Sequence, residues 1–417
     1  MIAQKTVKMH VGSKNNICPK NWIDTFHLES TNKKTTSIVD MVDVEGEEHC
    51  METVSSWTYL GDVIQSNGKN DLNIQERVGK GIGAVKQITQ MLSDLCLGPY
   101  YYEAFSVLRS SLLLSSLISN SESWVGLTKS QISDLEAVDE ELFRNIFPID
   151  QEKAHSKTAL ELFYLETGSI PIRYILMSRR LNFLWYLVHQ QEDSLLHNFF
   201  RAQLEDPIKG DWVSQVKEDM KCLSINMSFD DLKLFSKDKF KELVKKHVRA
   251  AAFSGLKEIQ ETHSKSMKLE YKEIMMQGYL SPISGMTNKE KSFAFSARTQ
   301  MLKGIKNNFR QGQSDIKCSL GCDKTEDQEH LLQCPALSDN EEIQANYNDI
   351  YSNNMTKIRK ITQILMKKFT KFTTLKSTVH GQSPKTESSA AESEDKVNDV
   401  NDIVDPNIVN VSDLELE

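Results

Sequence analysis

A mainly α-helical protein, opened by a short β segment and closed by a small metal-bound knuckle and a disordered acidic tail, is the fold class predicted by the 417-residue sequence. Three observations carry that expectation. Strict alternation of apolar and polar residues, the period of strands, is confined to the first 66 residues. From residue 70 onward apolar residues recur every three to four positions, the period of amphipathic helices. Three of the seven cysteines and one of the ten histidines then gather between residues 318 and 334.

The β segment comes first. Lys5 to Gly12 alternates Val7, Met9 and Val11 with Thr6, Lys8 and His10, as a half-buried strand does. Extended pieces follow at Trp22 to Leu28, Ile38 to Val44 and Trp57 to Ile64, the last bounded by the turn Ser66-Asn67-Gly68. They are too few to close a domain and predict the end of a larger sheet.

Helices take over at Asn70. With Asn70 or Asp71 as N-cap, Ile74, Val78, Ile82, Val85 and Leu92 form one stripe, leaving Arg77, Lys80 and Lys86 elsewhere. Gly79, Gly81 and Gly83 lack the spacing of a phosphate loop. Small residues that admit a neighbouring helix or a nucleic-acid backbone account for them better. Further helices are predicted at Tyr100 to Asn120, Lys129 to Phe147 and Ile170 to Gln190, the last opening with Ser169 and Pro171. Beside its apolar stripe lie Arg173, Arg179 and Arg180, a phosphate-gripping residue type that a solvated face explains nearly as well.

The lysine-rich run Asp230 to Ile274 predicts a pair of long helices serving as a linker. Between Met286 and Phe309, basic residues including Arg298 interleave with Phe293, Phe295 and Phe309, which suits phosphate contact and base stacking or, equally, a surface helix over core phenylalanines. A last helix spans Ile343 to Leu375. The expected units are strands 1–66, a helical domain 67–200, a helical linker 201–300, a knuckle region 301–340, a C-terminal helix 341–376 and a disordered acidic tail 377–417.

The knuckle has the pattern C-x3-C-x7-H-x3-C, formed by Cys318, Cys322, His330 and Cys334. Three thiolates and an imidazole suit one closed, structural zinc site with no position left for water. Gly321 permits the turn, and a short helix from Glu326 to Cys334, ended by Pro335, would place His330 and Cys334 on one face. The competing reading is a set of reduced, buried cysteines. Glu326, Asp327 and Glu329 read as first-turn helix chemistry and not as ligands.

Composition narrows the class. A hydrophobic fraction of 39% without any membrane-length apolar run describes a soluble chain with no membrane partner. With no signal peptide visible and an odd, scattered set of cysteines, a reducing compartment is expected, nucleus or cytoplasm. The net charge of −8 lies wholly in residues 385–417, where ten acidic residues face two lysines, so the remainder is neutral and a basic face stays open. No Ser-His-Asp or Cys-His grouping stands out, and His155, His189, His197 and His247 read as ordinary helix or loop residues.

The order of segments over residues 1 to about 340 resembles the C-terminal half of the reverse transcriptase of non-LTR (LINE-like) retrotransposons. Lys5-Thr-Val-Lys-Met9 resembles its "K-T-x-x-M" strand, and Trp57-Thr-Tyr-Leu-Gly61 its "F-x-Y-L-G" primer-grip motif. Ser121-Glu-Ser-Trp124 with Gly126-Leu-Thr128 is similar to its thumb segment "S-E-x-W…G-L-T". Glu166-Thr-Gly168 through Arg179-Arg-Leu181 is similar to "E-x-G…R-R-L", and Cys318 to Cys334 to its CCHC knuckle, spaced C-x3-C here where the family mostly has C-x2-C.

The resemblance implies a residual palm sheet, a thumb, a linker and a zinc knuckle. The family's paired catalytic aspartates lie upstream of the matched region, Asp40 and Asp43 would face opposite sides of a strand, and no nuclease pattern appears. Binding without catalysis is therefore expected, with RNA or an RNA–DNA hybrid as partner and no small-molecule substrate. Arg77, Lys80, Lys86, Arg179, Arg180 and Arg298 are the expected phosphate contacts. The alternative is a helical protein-interaction or scaffold protein that no longer uses a nucleic-acid surface.

Overall fold

A computed structural model describes residues 61–147, 157–262, 269–300, 302, 305, 317–338 and 346–379, and the backbone of five short strands between residues 7 and 59. Strands β1 (Val7–Lys8), β2 (Phe26–His27), β3 (Ile38–Val42) and β4 (Glu48–Thr53) form a sheet in the order β1-β4-β3-β2. β1 runs parallel to β4, and the other pairs are antiparallel. Asp40 lies within β3, whereas Asp43, Phe309 and the acidic tail fall outside the described residues.

The stretch from Trp57 to Ile64, expected as one strand, is a hairpin of β5 (Ser56–Tyr59) and β6 (Asp62–Gln65). Trp57 pairs with Ile64 and Tyr59 with Asp62. A two-residue turn separates the strands, and Gly61 at φ 84° supplies the left-handed residue there. Alternation alone cannot register so short a turn.

The hairpin leans on α1 (Asp71–Asp94), whose Ile74, Val85, Ile88 and Leu92 are buried. Asn70 precedes it but makes no cap bond. Its side chain instead donates to the carbonyl of Val125, 2.9 Å away. Asn73 and Arg77 reach back from α1 to the hairpin, accepting from the Val63 amide (3.1 Å) and donating to Asp62 (2.6 Å). A Cβ on Gly81 would lie 2.7 Å from Leu117 and 3.0 Å from Val138, so the missing side chain is what lets two neighbouring helices close in. Gly79 and Gly83 face open space.

The predicted helix Tyr100 to Asn120 is a continuous run of α2 (Tyr101–Leu108), a π-helical turn (Arg109–Leu113) and α3 (Leu114–Leu117). Thr128 and Gln131 form a capping box at the start of α4 (Lys129–Ile146). Next come α5 (Lys157–Thr167) and α6 (Ile172–Val188), the latter with Pro171 at its N-cap. Helices α7 (Leu195–Glu205), α8 (Trp212–Cys222) and α9 (Phe229–Leu232) are shorter. The expected helix pair in Asp230 to Ile274 is one long helix, α10 (Lys237–Thr262), followed by irregular backbone from Leu269 that bridges Met276 to Thr167. Composition favoured helix there, but Leu269, Tyr271 and Ile274 are buried against other elements, and that packing sets the backbone.

The chain continues through α11 (Asn288–Arg298), α12 (His330–Gln333) and α13 (Met355–Val379), the last preceded by a 3-10 turn at Tyr347–Tyr351. Two cores result. The larger joins α1 to α5, the start of α6, the end of α10, α11, the knuckle and α13. At its centre Phe143, Phe147, Phe163 and Phe295 stack with centroids 4.1 to 5.6 Å apart. The smaller joins the rest of α6 and α10 to α7, α8 and α9. Among the described residues no helix is long and apolar enough to cross a membrane.

Candidate metal centre and the predicted phosphate contacts

A hairpin-like turn and a single helical turn bring the four knuckle residues together. The Cys318 amide donates to the Lys324 carbonyl at 2.9 Å, and the Gly321 amide to the Cys318 carbonyl at 3.0 Å, with Gly321 at φ 86°. The Leu320 amide points at the Cys318 sulfur, 3.4 Å away. His330 opens α12, and Cys334 follows its end in extended backbone.

The helix is shorter than Glu326 to Cys334. Asp327 accepts the His330 amide at 2.7 Å, a local bond that competes with helix upstream. Glu326 turns the other way, accepting from the Ser319 amide at 2.8 Å, from the Ser319 hydroxyl, and from Lys376 of α13 at 3.2 Å. Neither carboxylate belongs to the ligand cluster, as expected.

Ligand geometry decides what the cluster can hold. The sulfurs of Cys318 and Cys334 are 3.9 Å apart, and those of Cys322 and Cys334 3.8 Å. A tetrahedron with arms of about 2.3 Å has sulfur–sulfur edges of about 3.8 Å, so these thiols already sit at zinc spacing. His330 Nε2 lies 2.9 Å from the Cys322 sulfur, closer than a tetrahedral edge, so that edge would open on binding. All four ligand atoms fall within 4.8 Å of one another. The S–S distances exceed any disulfide, and the cysteines are free.

Burial sets the protonation of the cluster. Burial, reinforced by the neighbouring sulfurs, pushes the Cys334 thiol up to about 12, and burial also raises Cys318. These thiols hold their protons until a cation displaces them. Burial keeps the His330 imidazole below its usual 6.5 despite nearby Asp327, which leaves it neutral as a ligand must be. Its second nitrogen, Nδ1, meets no hydrogen-bond partner among the described residues.

The six expected phosphate contacts divide sharply. Arg77 is 5% exposed and ion-paired with Asp62. Arg180, 6% exposed, grips both oxygens of Asp219 at 2.6 and 3.0 Å and ties α6 to α8. Arg298, 1% exposed, bonds Glu166 at 3.0 Å and the Ile350 carbonyl at 2.5 Å. These three are corrected: each is a buried strut whose donors point inward, and none faces a ligand. Arg179 is half-buried, donates to the Ile118 carbonyl at 2.8 Å and lies 3.8 Å from Glu122. Lys80 is exposed, 2.6 Å from Glu76, and Lys86 is exposed. Phe295, weighed as a stacking residue, lies in the aromatic core.

The segments that carried the resemblance fall at structural joints. Trp124 is buried beside Glu122, whose carbonyl accepts the Trp212 indole at 2.8 Å. Glu166 is fully buried, and Tyr271 donates to it at 2.5 Å. Sequence reasoning missed Glu326 and Lys376, which tie the knuckle to α13, because their pairing spans 50 residues. No protein-family model, curated protein or solved structure matches the chain.

Proposed function

We propose that this chain is a nucleic-acid-binding derivative of a non-LTR retrotransposon reverse transcriptase, clasped near its C-terminus by one structural zinc ion and acting by binding without catalysis. The observation that supports the reading most is the Cys318, Cys322, His330 and Cys334 cluster, with thiols at zinc spacing and three of the four residues buried. It stands last in the ordered series of motifs that resembles the retroelement polymerase. Zinc bound there replaces thiol protons and fixes the turn, a folding role. Lys80 and Lys86, on the outer side of α1, remain exposed to a phosphate backbone.

One observation favours the second reading, a helical interaction or scaffold protein. Arg77, Arg180 and Arg298 are committed to internal carboxylates, so half of the expected basic contacts serve the fold.

Titration of the full chain with labelled single-stranded RNA and with an RNA–DNA hybrid, at low and high salt, separates the two. Micromolar binding that weakens as salt rises is the expected result, since phosphate contacts release counterions. Absence of binding at low salt leaves the scaffold reading. Zinc content near one equivalent per chain, lost in Cys318→Ser, tests the clasp.

A further inference from the structure

One side of a cavity of about 410 Å³ is formed by Asn288, Lys289, Ser292 and Phe293, which recur at i, i+1, i+4 and i+5 and so share an arc of α11. Tyr101 of α2 and Phe369 of α13 line it too, and the remaining walls are mostly apolar. Protein interiors are close-packed, so a gap of this size beside the aromatic core is exceptional. Pockets that hold one small ligand measure about 300–1,000 Å³ and join apolar walls to a few polar groups.

The polar groups here fall into two sets. Ser292 shares a 2.7 Å hydrogen bond with the Tyr102 hydroxyl, and Ser296 donates to the Ser292 carbonyl at 3.1 Å, so both are engaged within the fold. Three others are not. The Asn288 side-chain oxygen is shielded from water and has no hydrogen-bond partner. The Tyr101 hydroxyl has none among the described residues, and burial raises its pKa, which keeps it a donor. Lys289 is exposed and makes no ion pair among the described residues. Its acidic neighbour Glu290 is held by the Thr287 amide and by Gln363, each at 2.7 Å.

An occupant must therefore offer a flat apolar surface, a donor and an acceptor on its edge, and a negative charge. Phe293 and Phe369 are half-buried and meet edge to face at 5.6 Å, which suits them as walls for a planar ring. An acyl chain would fill the cavity but leave the Asn288 oxygen unpaired, at a cost. A nucleotide has all three features, since its base carries donors and acceptors around a stacking ring and its phosphate is anionic.

We infer that this cavity between α2, α11 and α13 takes a single nucleotide, its base against Phe293 and Tyr101 and its phosphate toward Lys289. The inference rests on the nucleic-acid reading above and gives it a base contact, with an unpaired base of an RNA strand or a free nucleotide as the two sources.

The test compares full-length wild type with Phe293→Leu, which keeps an apolar side chain and removes the flat ring. Anisotropy follows a labelled oligouridylate and an abasic strand of the same length at low and high salt, and saturation-transfer NMR follows uridine monophosphate. Wild type is expected to bind the base-bearing strand about tenfold more tightly than the abasic one. Phe293→Leu should abolish that preference with its salt slope unchanged, because the phosphate contacts remain. Saturation should pass from the protein to the base protons of the mononucleotide in wild type, and less in the variant. Circular dichroism establishes folding, and Tyr101→Leu replaces Phe293→Leu if the latter is unfolded. If wild type binds both strands equally, or both folded variants keep the preference for bases, the assignment is overturned while the nucleic-acid reading stands. If no RNA binds at low salt but the mononucleotide does, and Phe293→Leu loses it, the cavity holds a free nucleotide and the nucleic-acid reading falls. If neither binds, both fall. Laurate binding that Phe293→Leu weakens, with no transfer to the mononucleotide, would overturn the assignment in favour of an acyl ligand.

Discussion

Arg298 is matched by Glu166 at 3.0 Å in a site closed to water, while Tyr271 donates to the same carboxylate and the guanidinium lies over the Tyr279 ring. Burial, with Glu166 alongside, holds both tyrosines far above their usual range, so they stay neutral donors. Removing one partner of such a pair strands the other charge, which costs about 3–5 kcal/mol. Arg298→Ala should therefore lower the unfolding free energy by that amount, read as a lower urea midpoint. An unchanged midpoint would show that the pair is not closed. Glu326 gives a pH signature. Burial alone would raise it, but bonds from Ser319 and the Lys376 charge bring it below its usual 4.5. A carboxylate depressed in the folded state adds stability above its unfolded value and loses it as pH falls from there through the lower folded value. Wild type should thus lose more stability than Glu326→Gln between about pH 5 and pH 3, measured by thermal melting.

At the scale of elements, the helices were legible where one face is apolar. Ile74, Val85 and Leu92 mark α1, and the expected helix Lys129 to Phe147 is α4 to within one residue. The knuckle's ligand spacing was equally plain, because four soft ligands so close in sequence have few other uses. What escaped were features fixed by distant partners. The irregular backbone at Tyr271 and the inward aim of Arg77, Arg180 and Arg298 depend on residues 15 to 132 positions away. An arginine beside an apolar stripe looks the same in sequence whether it faces water or Asp219. The clasp makes a prediction at this scale. Chelation of zinc, or Cys334→Ser, should release the turn that orients Glu326 and Leu332, and amide exchange along α13 should accelerate while α1 is unaffected. Equal acceleration in both helices would refute a local role for the metal.

At the scale of the molecule, two helices belong to both cores. Ile172 and Leu176 of α6 lie in the larger and Leu181, Leu184 and Leu187 in the smaller. In α10 the order is reversed, with Phe240, Val244 and Val248 in the smaller core and Ala252 and Leu256 in the larger. Neither core can lose its packing without exposing half of each shared helix. Scanning calorimetry of the zinc-loaded protein should accordingly record one endotherm with matching calorimetric and van't Hoff enthalpies, and two resolved peaks would contradict the shared-helix packing. Such paired girders also carry torque: a twist imposed on one block passes to the other through both helices, so the two cores would answer a load together.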